Sequence, residues 1–341
     1  MSQPPVRIGV VGCGAVARAQ HLPVLRKLAA ATVVAVADPD PDARSRAARL
    51  APGAAQHAGA EELLAREEVD AVVVTAPPAR HAVIACAAAA AGKHVYVEKP
   101  LATTEADGVR TVEAVTGAGV IGVIGFNRRS HPVYVRAREL VRSGAIGSVR
   151  FVNSTFCEPV GEGGTSEWKR SRAGGGGVLL ELASHHFDLL RWFLDTEIDV
   201  VAARTAAGWS EQDDALLELS TSSGAEGQGL YSFRAAHADF LELFGETGRL
   251  RVDRHRGALV VHRRRRNRYG IRRAWGPAAV HALTWQVRRP VSFRGDPSYG
   301  LALARFVERV AGAEREAPSL EDGLRSLQAV LAAERLAATG A

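Results

Sequence analysis

Short apolar runs alternate with longer amphipathic segments along the first third of the chain. The runs are almost continuously hydrophobic and rich in β-branched residues, which is typical of parallel strands that are buried on both faces. The segments between them are rich in Ala, Leu and Arg and predict helices. This alternation predicts a doubly wound parallel sheet. The predicted strands are Val6–Val11, Thr32–Ala37, Ala71–Thr75, His94–Val97 and Val120–Ile124, and the predicted helices are Ala15–Leu28, Pro41–Leu50, Arg80–Ala91 and Thr104–Thr116.

The pattern changes after Ser148, where strand-like runs are separated by Gly, Ser or Asp turns. These runs predict a large, open and mainly antiparallel sheet in a second α/β domain. A helix over Leu179–Leu194 interrupts the series early. The predicted strands are Arg150–Phe156, Val200–Thr205, Ala215–Ser220, Gly229–Phe233, Phe240–Phe244 and Ala258–His262.

The domain boundary is predicted just after a helix over Tyr134–Ser143, which gives a dinucleotide-binding domain at 1–146 and a substrate and oligomerisation domain at 147–341. The last stretch, about 298–338, has helical periodicity. We expect its helices to pack back on the first domain. Ser319 and Asp322 have the spacing of a capping box at the start of the last helix.

Composition places the chain among ordinary globular proteins, with 47% hydrophobic and 23% charged residues in 341. The three cysteines have neither disulfide nor metal-ligand spacing, so we expect a reducing cytoplasm and no metal. The first residues lack the pattern of a signal peptide, and the uncharged, Ala-rich stretch Ala82–Gly92 is too short to span a membrane.

A net charge of +6 arises largely from Arg249–Arg273, where Asp253 is the one acidic residue. A solvated insertion or strand edge explains this segment. It could alternatively contact an anionic group of a substrate, such as a phosphate or a nucleotide-sugar diphosphate, or nucleic acid. Because no nucleic-acid-binding motif accompanies the arginines, we expect no nucleic-acid partner.

A glycine motif follows the first strand. In Gly12-x-Gly14-x-x-Ala17, the first glycine permits a tight turn and the second lets a diphosphate approach the backbone. Ala17 is small enough for close helix–strand packing. The amides of Ala15 and Val16, at a helix N-terminus, would then hold the anion. An ordinary glycine-rich turn is the alternative.

Asp38 lies 21 residues after Ala17, at the end of the next predicted strand. A carboxylate there accepts hydrogen bonds from the adenosine ribose hydroxyls and repels a 2′-phosphate, which favours NAD over NADP. Asp38 could instead be a turn or cap residue ahead of Pro39. Arg44 or Arg46 could hold a phosphate, which leaves NADP open.

Two later strand ends add residues to the predicted cofactor site. Thr75, Pro77 and His81 belong to a loop at the carboxyl edge of the sheet, where ligands of open α/β sheets bind. Glu98 and Lys99 end the next strand. An ammonium there can donate a hydrogen bond to a substrate oxygen and stabilise alkoxide character. A surface Lys–Glu pair is the alternative.

The glycine run Gly174–Gly177 leads into a predicted helix that carries Glu181, His185 and Asp188 on one face. A histidine titrates in the range needed to exchange an alcohol proton, and a neighbouring acid can orient it. A solvated Glu–His pair is the alternative. His186 points elsewhere and is expected to be structural.

Four elements occur in this order: the glycine motif with Asp38, the loop from Thr75, the pair Glu98–Lys99 and the helix that carries Glu181 and His185. Together they resemble the Gfo/Idh/MocA family of NAD(P)-dependent oxidoreductases. The resemblance is densest over Ile8–Ala17, Gly92–Pro100, Gly125–Arg129 and Gly174–Trp192. The resemblance implies a Rossmann domain followed by an α/β domain whose open sheet forms a homodimer or homotetramer interface. It also implies sugar or cyclitol substrates.

By the same resemblance, Lys99 matches the catalytic lysine, His185 the acid/base and Asp188 its supporting aspartate. Glu181 stands where the family usually has aspartate, and its longer side chain either serves the same function or reshapes the choice of substrate. Residues proposed to contact substrate on family position and side-chain type, together with His185, are Arg128, Trp168, Lys169 and Arg170.

The chain is therefore expected to transfer hydride between NAD and a secondary alcohol or ketone of a sugar, aminosugar or cyclitol. Two alternatives share the scaffold. One is redox-assisted glycoside hydrolysis or epimerisation, and the other is a non-catalytic NAD-sensing regulator, which would not need both Lys99 and His185.

Overall fold

The computed structural model describes residues 4–66, 68–160, 166–254, 258–265, 268–273 and 296–340, and for residues 258, 263–265 and 268–273 it describes the backbone alone. These residues divide into two compact units. One lies within Met1–Ser130 and Asp296–Leu327, and the other within His131–Gly295 and Gln328–Ala341.

The first unit contains a six-stranded parallel sheet in the order β3-β2-β1-β4-β5-β6. The strand order reverses between β1 and β4, and ligands of doubly wound sheets bind at the carboxyl ends of such strands. The predicted doubly wound fold is confirmed. The strands are β1 Val6–Val11, β2 Ala31–Ala37, β3 Ala55–His57, β4 Ala71–Val74, β5 His94–Val97 and β6 Gly122–Ile124.

The helices of this unit follow the predicted order, with one irregularity near the start. The predicted helix Ala15–Leu28 is a π-helical turn, Ala17–His21, followed by one short α-helix, Leu22–Leu25. A 3-10 turn at Pro78–Arg80 precedes the fourth helix, and another lies at Asn127–Ser130. The remaining helices are Pro41–Leu50, Ala60–Leu64, His81–Ala90, Glu105–Gly117 and Pro297–Val310.

Each face of the parallel sheet is covered by its own apolar cluster, because alternate residues of a strand point to opposite faces. Leu303 and Phe306 of Pro297–Val310 join the cluster on the face of Ile8 and Val10. Leu320, at the start of the helix Leu320–Thr339, joins the cluster on the other face. The predicted capping box is confirmed there.

That capping box consists of two reciprocal hydrogen bonds. The amide of Asp322 donates to Ser319 Oγ at 3.2 Å, and the amide of Ser319 donates to Asp322 Oδ2 at 2.9 Å. They satisfy two backbone donors that a helix N-terminus otherwise leaves without partners.

The second unit contains an eight-stranded sheet in the order β14-β13-β12-β11-β7-β10-β9-β8. Only the pair β7–β10 is parallel, which agrees with the predicted mainly antiparallel sheet. The strands are β7 Val149–Cys157, β8 Ile198–Ala206, β9 Asp214–Thr221, β10 Glu226–Ser232, β11 Ala238–Gly245, β12 Gly248–Asp253, β13 Ala258–Arg265 and β14 Arg268–Arg273.

Two α-helices, two short turns and the end of the helix Leu320–Thr339 complete the described part of this unit. The helix Pro132–Arg142 precedes β7, and a 3-10 turn, Glu167–Arg170, follows it. The predicted helix Leu179–Leu194 begins as a π-helical turn, Leu179–Ala183, and continues as an α-helix, Ser184–Leu194.

None of the helices placed in the structure has the length and apolar character that crossing a bilayer requires. Within the same described ranges, His, Cys, Asp and Glu side chains form no group of three or more arranged to hold a metal ion.

Candidate active site

The two glycines of the turn after β1 differ in the space around their Cα atoms. Gly12 is buried with φ +94°, and a Cβ there would overlap the backbone of Thr75 and Ala76. Gly14 is exposed, and a Cβ there would meet no protein atom within 4 Å. Only glycine fits the first position, whereas the second leaves free space beside the backbone.

The residues after Gly14 go from exposed to buried as the chain enters the π-helical turn. Ala15 is exposed, Val16 is half-buried and Ala17 is fully buried. The small side chain of Ala17 therefore lies inside the helix–sheet packing. Gly14 and Ala15 are exposed residues at the start of the helical segment, where backbone amides can stabilise an anion.

Asp38 joins the glycine turn to the end of β2. Its Oδ2 accepts a hydrogen bond of 2.6 Å from the amide of Cys13, and its Oδ1 accepts one of 2.9 Å from the amide of Asp40. Arg44 Nη1 donates to the backbone oxygen of Asp38 at 2.6 Å. Asp38 is thus a turn aspartate that also fixes the glycine turn, and an arginine lies beside it.

The thiol of Cys13 lies under this turn and is fully buried. Burial, with a smaller contribution from the negative charge of Asp38, raises the pKa of Cys13 to about 12. The thiol is therefore protonated at neutral pH and is a packing group rather than a nucleophile.

The loop after β4 is fixed to the glycine turn and to the chain after β5. Thr75 Oγ1 donates to the carbonyl of Gly12 at 2.6 Å. The two ring nitrogens of His81 lie 2.7 Å from the carbonyl oxygen of Pro100 and 2.8 Å from that of Ala76.

His81 is 1% exposed, and burial lowers the pKa of its ring against the opposing effect of the two carbonyls. With both nitrogens directed at backbone oxygens, His81 holds two loops together. Pro77, at the head of the 3-10 turn Pro78–Arg80, has an extended backbone with φ −57° and ψ 144°.

Glu98 and Lys99 follow β5 directly. Glu98 Oε1 accepts a hydrogen bond from His21 Nε2 at 2.7 Å, and Glu98 Oε2 accepts one from the amide of Lys99 at 3.1 Å. Lys99 is half-buried, and the peptide bond between it and Pro100 is cis. The carboxylate of Glu98 thus connects the π-helical turn Ala17–His21 to the backbone of Lys99.

His21, which bonds Glu98, was not among the residues predicted from the sequence. It is fully buried next to the buried apolar side chains Leu22 and Leu25. A histidine four residues after Ala17, directly before these leucines, was the available signal. Arg128, proposed to contact substrate, is 3% exposed and lies in the turn Asn127–Ser130.

In the second unit, Glu181 lies in the π-helical turn and His185 in the first turn of the α-helix. Both are half-buried, whereas Asp188 is 1% exposed. The His185 ring centroid lies 6.4 Å from that of Phe156 on β7. Because a π turn is wider than an α turn, the three residues do not follow the plain α-helical spacing assumed from the sequence.

Lys169 is ion-paired with Glu181, with 2.9 Å between Nζ and Oε2. Burial lowers the pKa of Lys169, but the charge of Glu181 and the hydrogen bond to it outweigh this, so that the pKa lies above its usual value. The ammonium also lies 5.4 Å from the ring centroid of Trp168. The carboxylate that precedes His185 is therefore compensated by a cation from a neighbouring turn.

The glycine run makes this pairing possible. A Cβ at Gly176 would overlap the backbone of Lys169, and one at Gly174 would lie 2.8 Å from the carbonyl oxygen of Trp168. The run therefore packs against the backbone of the turn Glu167–Arg170. The guanidinium carbon of Arg170 lies 5.2 Å from the ring centroid of Trp209, so this side chain stacks on an aromatic ring.

His186 is fully buried behind His185, which agrees with its expected structural role. Its Nδ1 lies 2.8 Å from Ser154 Oγ and its Nε2 lies 3.0 Å from Asp239 Oδ1. Arg254 Nη1 is 3.5 Å from Asp239 Oδ2. These polar contacts fix the helix Ser184–Leu194 to β7 and β11.

The arginine-rich segment forms β12, β13 and β14, and β14 is an edge of the sheet. Where side chains are described, the arginines contact β11: Arg251 stacks on Phe240 at 3.8 Å and lies 3.5 Å from Glu242. Because β12 pairs with both β11 and β13, Arg249–Arg254 is neither an insertion nor a strand edge, and only β14 fits the strand-edge interpretation. The side chains of 263–273 lie outside the described residues.

Comparison with known proteins agrees with this geometry. Residues 6–126 match the family described as "Oxidoreductase family, NAD-binding Rossmann fold", and residues 134–251 match the "GFO/IDH/MocA C-terminal domain". The chain is 30% identical over 340 residues to myo-inositol 2-dehydrogenase of Thermotoga maritima, covering 97% of this chain and 96% of that protein. The protein belongs to the Gfo/Idh/MocA family.

Other relatives are reductases of nucleotide-linked sugars. The family member dTDP-3,4-didehydro-2,6-dideoxy-alpha-D-glucose 3-reductase of Saccharopolyspora spinosa is 33% identical over 257 residues, covering 73% of this chain and 75% of that protein. KijD10, a 3-ketoreductase from Actinomadura kijaniata solved with NADP and TDP-benzene, superposes with a TM-score of 0.81 at 25% identity and 97% coverage of each chain.

An oxidoreductase domain protein from Kribbella flavida has a TM-score of 0.87 at 23% identity and shows the same fold over 99% of this chain and 98% of that one.

The glycine turn fits the cofactor of the Gfo/Idh/MocA family. Gly14 and Ala15 are exposed, free space adjoins Gly14, and Asp38 fixes the turn that would hold the diphosphate. The residues therefore fit a nicotinamide dinucleotide, NAD or NADP.

Proposed function

We propose that the protein transfers hydride between a nicotinamide dinucleotide and a secondary alcohol or ketone of a sugar, aminosugar or cyclitol. The observation that carries the proposal is the glycine turn after β1, open at Gly14 and braced by Asp38, at the point where the strand order reverses. Relatives named as inositol dehydrogenases and dTDP-sugar reductases supply the substrate class.

The cofactor is proposed to lie along the carboxyl ends of β1, β4 and β5. The amides at Gly14, Ala15 and Val16 would hold the diphosphate, with Gly12 and Ala17 shaping the turn. The wall of the site would be the backbone around Thr75, Pro77, His81 and Glu98. Hydrogen bonds of the Thr75, His81 and Glu98 side chains hold this backbone in place. A bound nicotinamide supplies the hydride acceptor or donor.

We propose NAD as the preferred form, because the Asp38 carboxylate would repel a 2′-phosphate. Each of its oxygens accepts one amide and retains a lone pair for a ribose hydroxyl. Arg44, bonded to the carbonyl of Asp38, is the residue that would accommodate a phosphate if NADP binds.

In the chemical step, Lys99 is proposed to donate a hydrogen bond to the reacting oxygen of the substrate and to stabilise its developing charge. His185 is proposed to take the hydroxyl proton during oxidation and return it during reduction. Asp188 would support His185, and Glu181 would act together with Lys169. Stabilising one oxyanion by a positioned donor accounts for about 3–4 kcal/mol in comparable enzymes.

Substrate contacts are proposed for Trp168, Lys169 and Arg170, which share one turn, and for Arg128. The ammonium of Lys169 keeps donors beyond the one that bonds Glu181, so it can also hold a hydroxyl. The turn Glu167–Arg170 would thus present an aromatic ring and cations to a polyol.

The first unit is proposed as the cofactor domain, and the second as the domain for substrate and self-association. The outward face of the eight-stranded sheet exposes Phe151, Val201, Leu216 and Leu230, and Leu216 pairs directly with Leu230. Such a face is suited to a homodimer or homotetramer contact. A cytoplasmic location is proposed because the buried thiols of Cys13 and Cys157 are free.

The catalytic assignment is tested with Lys99→Ala and a matched control, Lys93→Ala. Lys93 precedes β5 and donates to the carbonyl of Arg66, whereas Lys99 follows the same strand. A panel of sugars, cyclitols and nucleotide sugars is assayed with NAD and NADP by nicotinamide absorbance. Lys99→Ala should fold, bind cofactor and lose turnover by about 100-fold or more, while Lys93→Ala keeps it.

Full activity of Lys99→Ala on a substrate that the unmodified protein oxidises would overturn the assignment. Product formation with no net change in nicotinamide absorbance would instead support redox-assisted hydrolysis or epimerisation.

A further inference from the structure

We propose that His21 is a positioning residue for Lys99 and acts through the carboxylate of Glu98. The inference rests on the proposed function of Lys99. It concerns three residues of the first unit, which are connected by two hydrogen bonds to the carboxylate of Glu98.

The π-helical turn Ala17–His21 brings the imidazole to the end of β5. His21 is 0% exposed, and its Nε2 donates to Glu98 Oε1 at 2.7 Å. Nδ1 has no hydrogen-bond partner among the described residues. The buried ring therefore makes one hydrogen bond among the described residues. Leaving its other nitrogen without a partner costs stability.

Two tyrosine rings hold the imidazole in place. The ring centroid of Tyr96 lies 5.8 Å from that of His21 at an interplanar angle of 66°, and that of Tyr299 lies 5.6 Å away at 88°. Edge-on contacts with two aromatic rings restrict the rotation of the imidazole. The direction of the Nε2–H donor is thereby fixed.

Glu98 is held as tightly as the histidine. A Cβ at Gly125 would lie 2.9 Å from Glu98 Oε2 and 3.1 Å from Glu98 Cα, so the chain after β6 packs directly on the glutamate. Glu98 Oε2 then accepts the amide hydrogen of Lys99 at 3.1 Å. The carboxylate has one orientation that satisfies both His21 and the amide of Lys99.

A buried polar pair is seldom the most stable filling of a core, since apolar side chains of similar volume often replace such pairs without loss. Catalytic groups, in contrast, need supporting contacts that fix their position to a fraction of an ångström. The arrangement around His21 suits the second purpose. Glu98 accepts hydrogen bonds from both His21 and the amide of Lys99, so His21 fixes the position of Lys99 through Glu98.

The test compares His21→Gln with His21→Leu. Glutamine can place its Nε2 donor near the position of the histidine Nε2, whereas leucine has a similar volume and no donor. On a substrate found with the panel above, His21→Leu should lower kcat by about 10- to 100-fold with little change in KM, because small misplacements of a reacting group have effects of that size. His21→Gln should recover most of the loss.

A second readout does not depend on turnover. The chain has four lysines, Lys27, Lys93, Lys99 and Lys169. Competitive acetylation with trace acetic anhydride, read by mass spectrometry, measures the relative reactivity of each. His21→Leu should change the labelling of Lys99 by about threefold or more, because an amine responds to its surroundings, and His21→Gln and the other three lysines should change little.

A structural role alone would lower the melting temperature of His21→Leu while leaving kcat and Lys99 labelling within twofold of the unmodified protein, and that result would overturn the proposal. Equal behaviour of the Gln and Leu variants would also overturn it. If His21→Leu does not fold, His21→Asn, which lacks the reach of Gln, takes its place with the same expectations. Lys99→Ala with full turnover would refute the catalytic role separately, and the labelling comparison would still decide whether His21 sets the environment of Lys99.

Discussion

The ammonium of Lys169 lies 2.9 Å from the carboxylate of Glu181, four residues before His185. The pair has two consequences. It supplies a partner for a carboxylate that is 12% exposed, and it compensates the charge of the acid that precedes the proposed acid/base in the chain. Glutamate, one methylene longer than aspartate, has the reach to meet a lysine from the neighbouring turn.

Glu181→Ala should destabilise the protein, because the half-buried Lys169 ammonium loses its main compensation. We expect a loss of about 1–3 kcal/mol, less than for a fully buried pair because Lys169 is 34% exposed. Denaturant titration of Glu181→Ala, Lys169→Met and the double variant measures the coupling. Additive effects of the two single changes would contradict the pairing.

The same pair predicts a dependence on alkaline pH. The folded-state pKa of Lys169 lies above its ordinary value of 10.5, so its contribution to stability is fully present below that value and is lost as the pH rises through the folded pKa. The stability difference between the unmodified protein and Lys169→Met should therefore be constant near neutral pH and shrink in strong alkali. If the stability difference between the two proteins instead grew as the pH rose, the pKa of Lys169 would be lowered in the folded state and the prediction would be wrong.

Gly12→Ala and Gly14→Ala should separate folding from cofactor binding. A Cβ at Gly12 overlaps backbone and φ is +94°, so the free protein should lose at least about 1–2 kcal/mol of stability. A Cβ at Gly14 meets no protein atom, so Gly14→Ala should fold normally. It should weaken NAD binding about tenfold or more by occupying the space for the diphosphate.

Thermal unfolding without cofactor and calorimetric titration with NAD measure the two effects. Gly14→Ala that binds NAD as tightly as the unmodified protein would show that the diphosphate lies elsewhere.

Asp38→Ala should change both cofactor preference and stability. The amides of Cys13 and Asp40 lose their acceptor, for an expected cost of about 1–3 kcal/mol. Without the carboxylate, the ratio of NADP to NAD affinity should rise about tenfold or more. Arg44→Ala in the same background should reverse the gain, and an unchanged ratio would refute the role of Asp38.

Leu216→Glu should disrupt self-association if the outward sheet face is an interface. Leu216 is 49% exposed and pairs with Leu230 on β10. The control is Val83→Glu, on the helix His81–Ala90 in the first unit, where Val83 is 48% exposed. Light scattering coupled to size exclusion should show a smaller species for Leu216→Glu alone, and an unchanged mass would place the contact elsewhere.

The sequence predicted the elements whose hydrophobicity is continuous or alternates cleanly. The buried strands β1, β4 and β5 and the helix Pro41–Leu50 agree with prediction to within a residue. The strand β3 was missed because its three residues are mostly polar and half-buried. The strand β12 was missed because its arginines hid the alternation of Leu250 and Val252.

The contacts between distant residues could not be predicted in the same way. The glycine motif and Asp38 were identified from spacing, but the hydrogen bond from Cys13 to Asp38 depends on how β1 and β2 align. The pairs His21–Glu98 and Lys169–Glu181 join residues 77 and 12 positions apart. No local propensity encodes such pairs, because they result from packing.

Both π-helical turns, Ala17–His21 and Leu179–Ala183, contain one more residue than an α-helical turn would need. Deleting one residue from either would let the backbone relax into a regular helix and rotate everything on one side of the deletion by about 100°. His21 would then swing away from Glu98, and the phase between Glu181 and His185 would change. Chain length within these two turns is thus as restrictive as side-chain identity, and single-residue insertions and deletions there should be tolerated far less than substitutions of their neighbours.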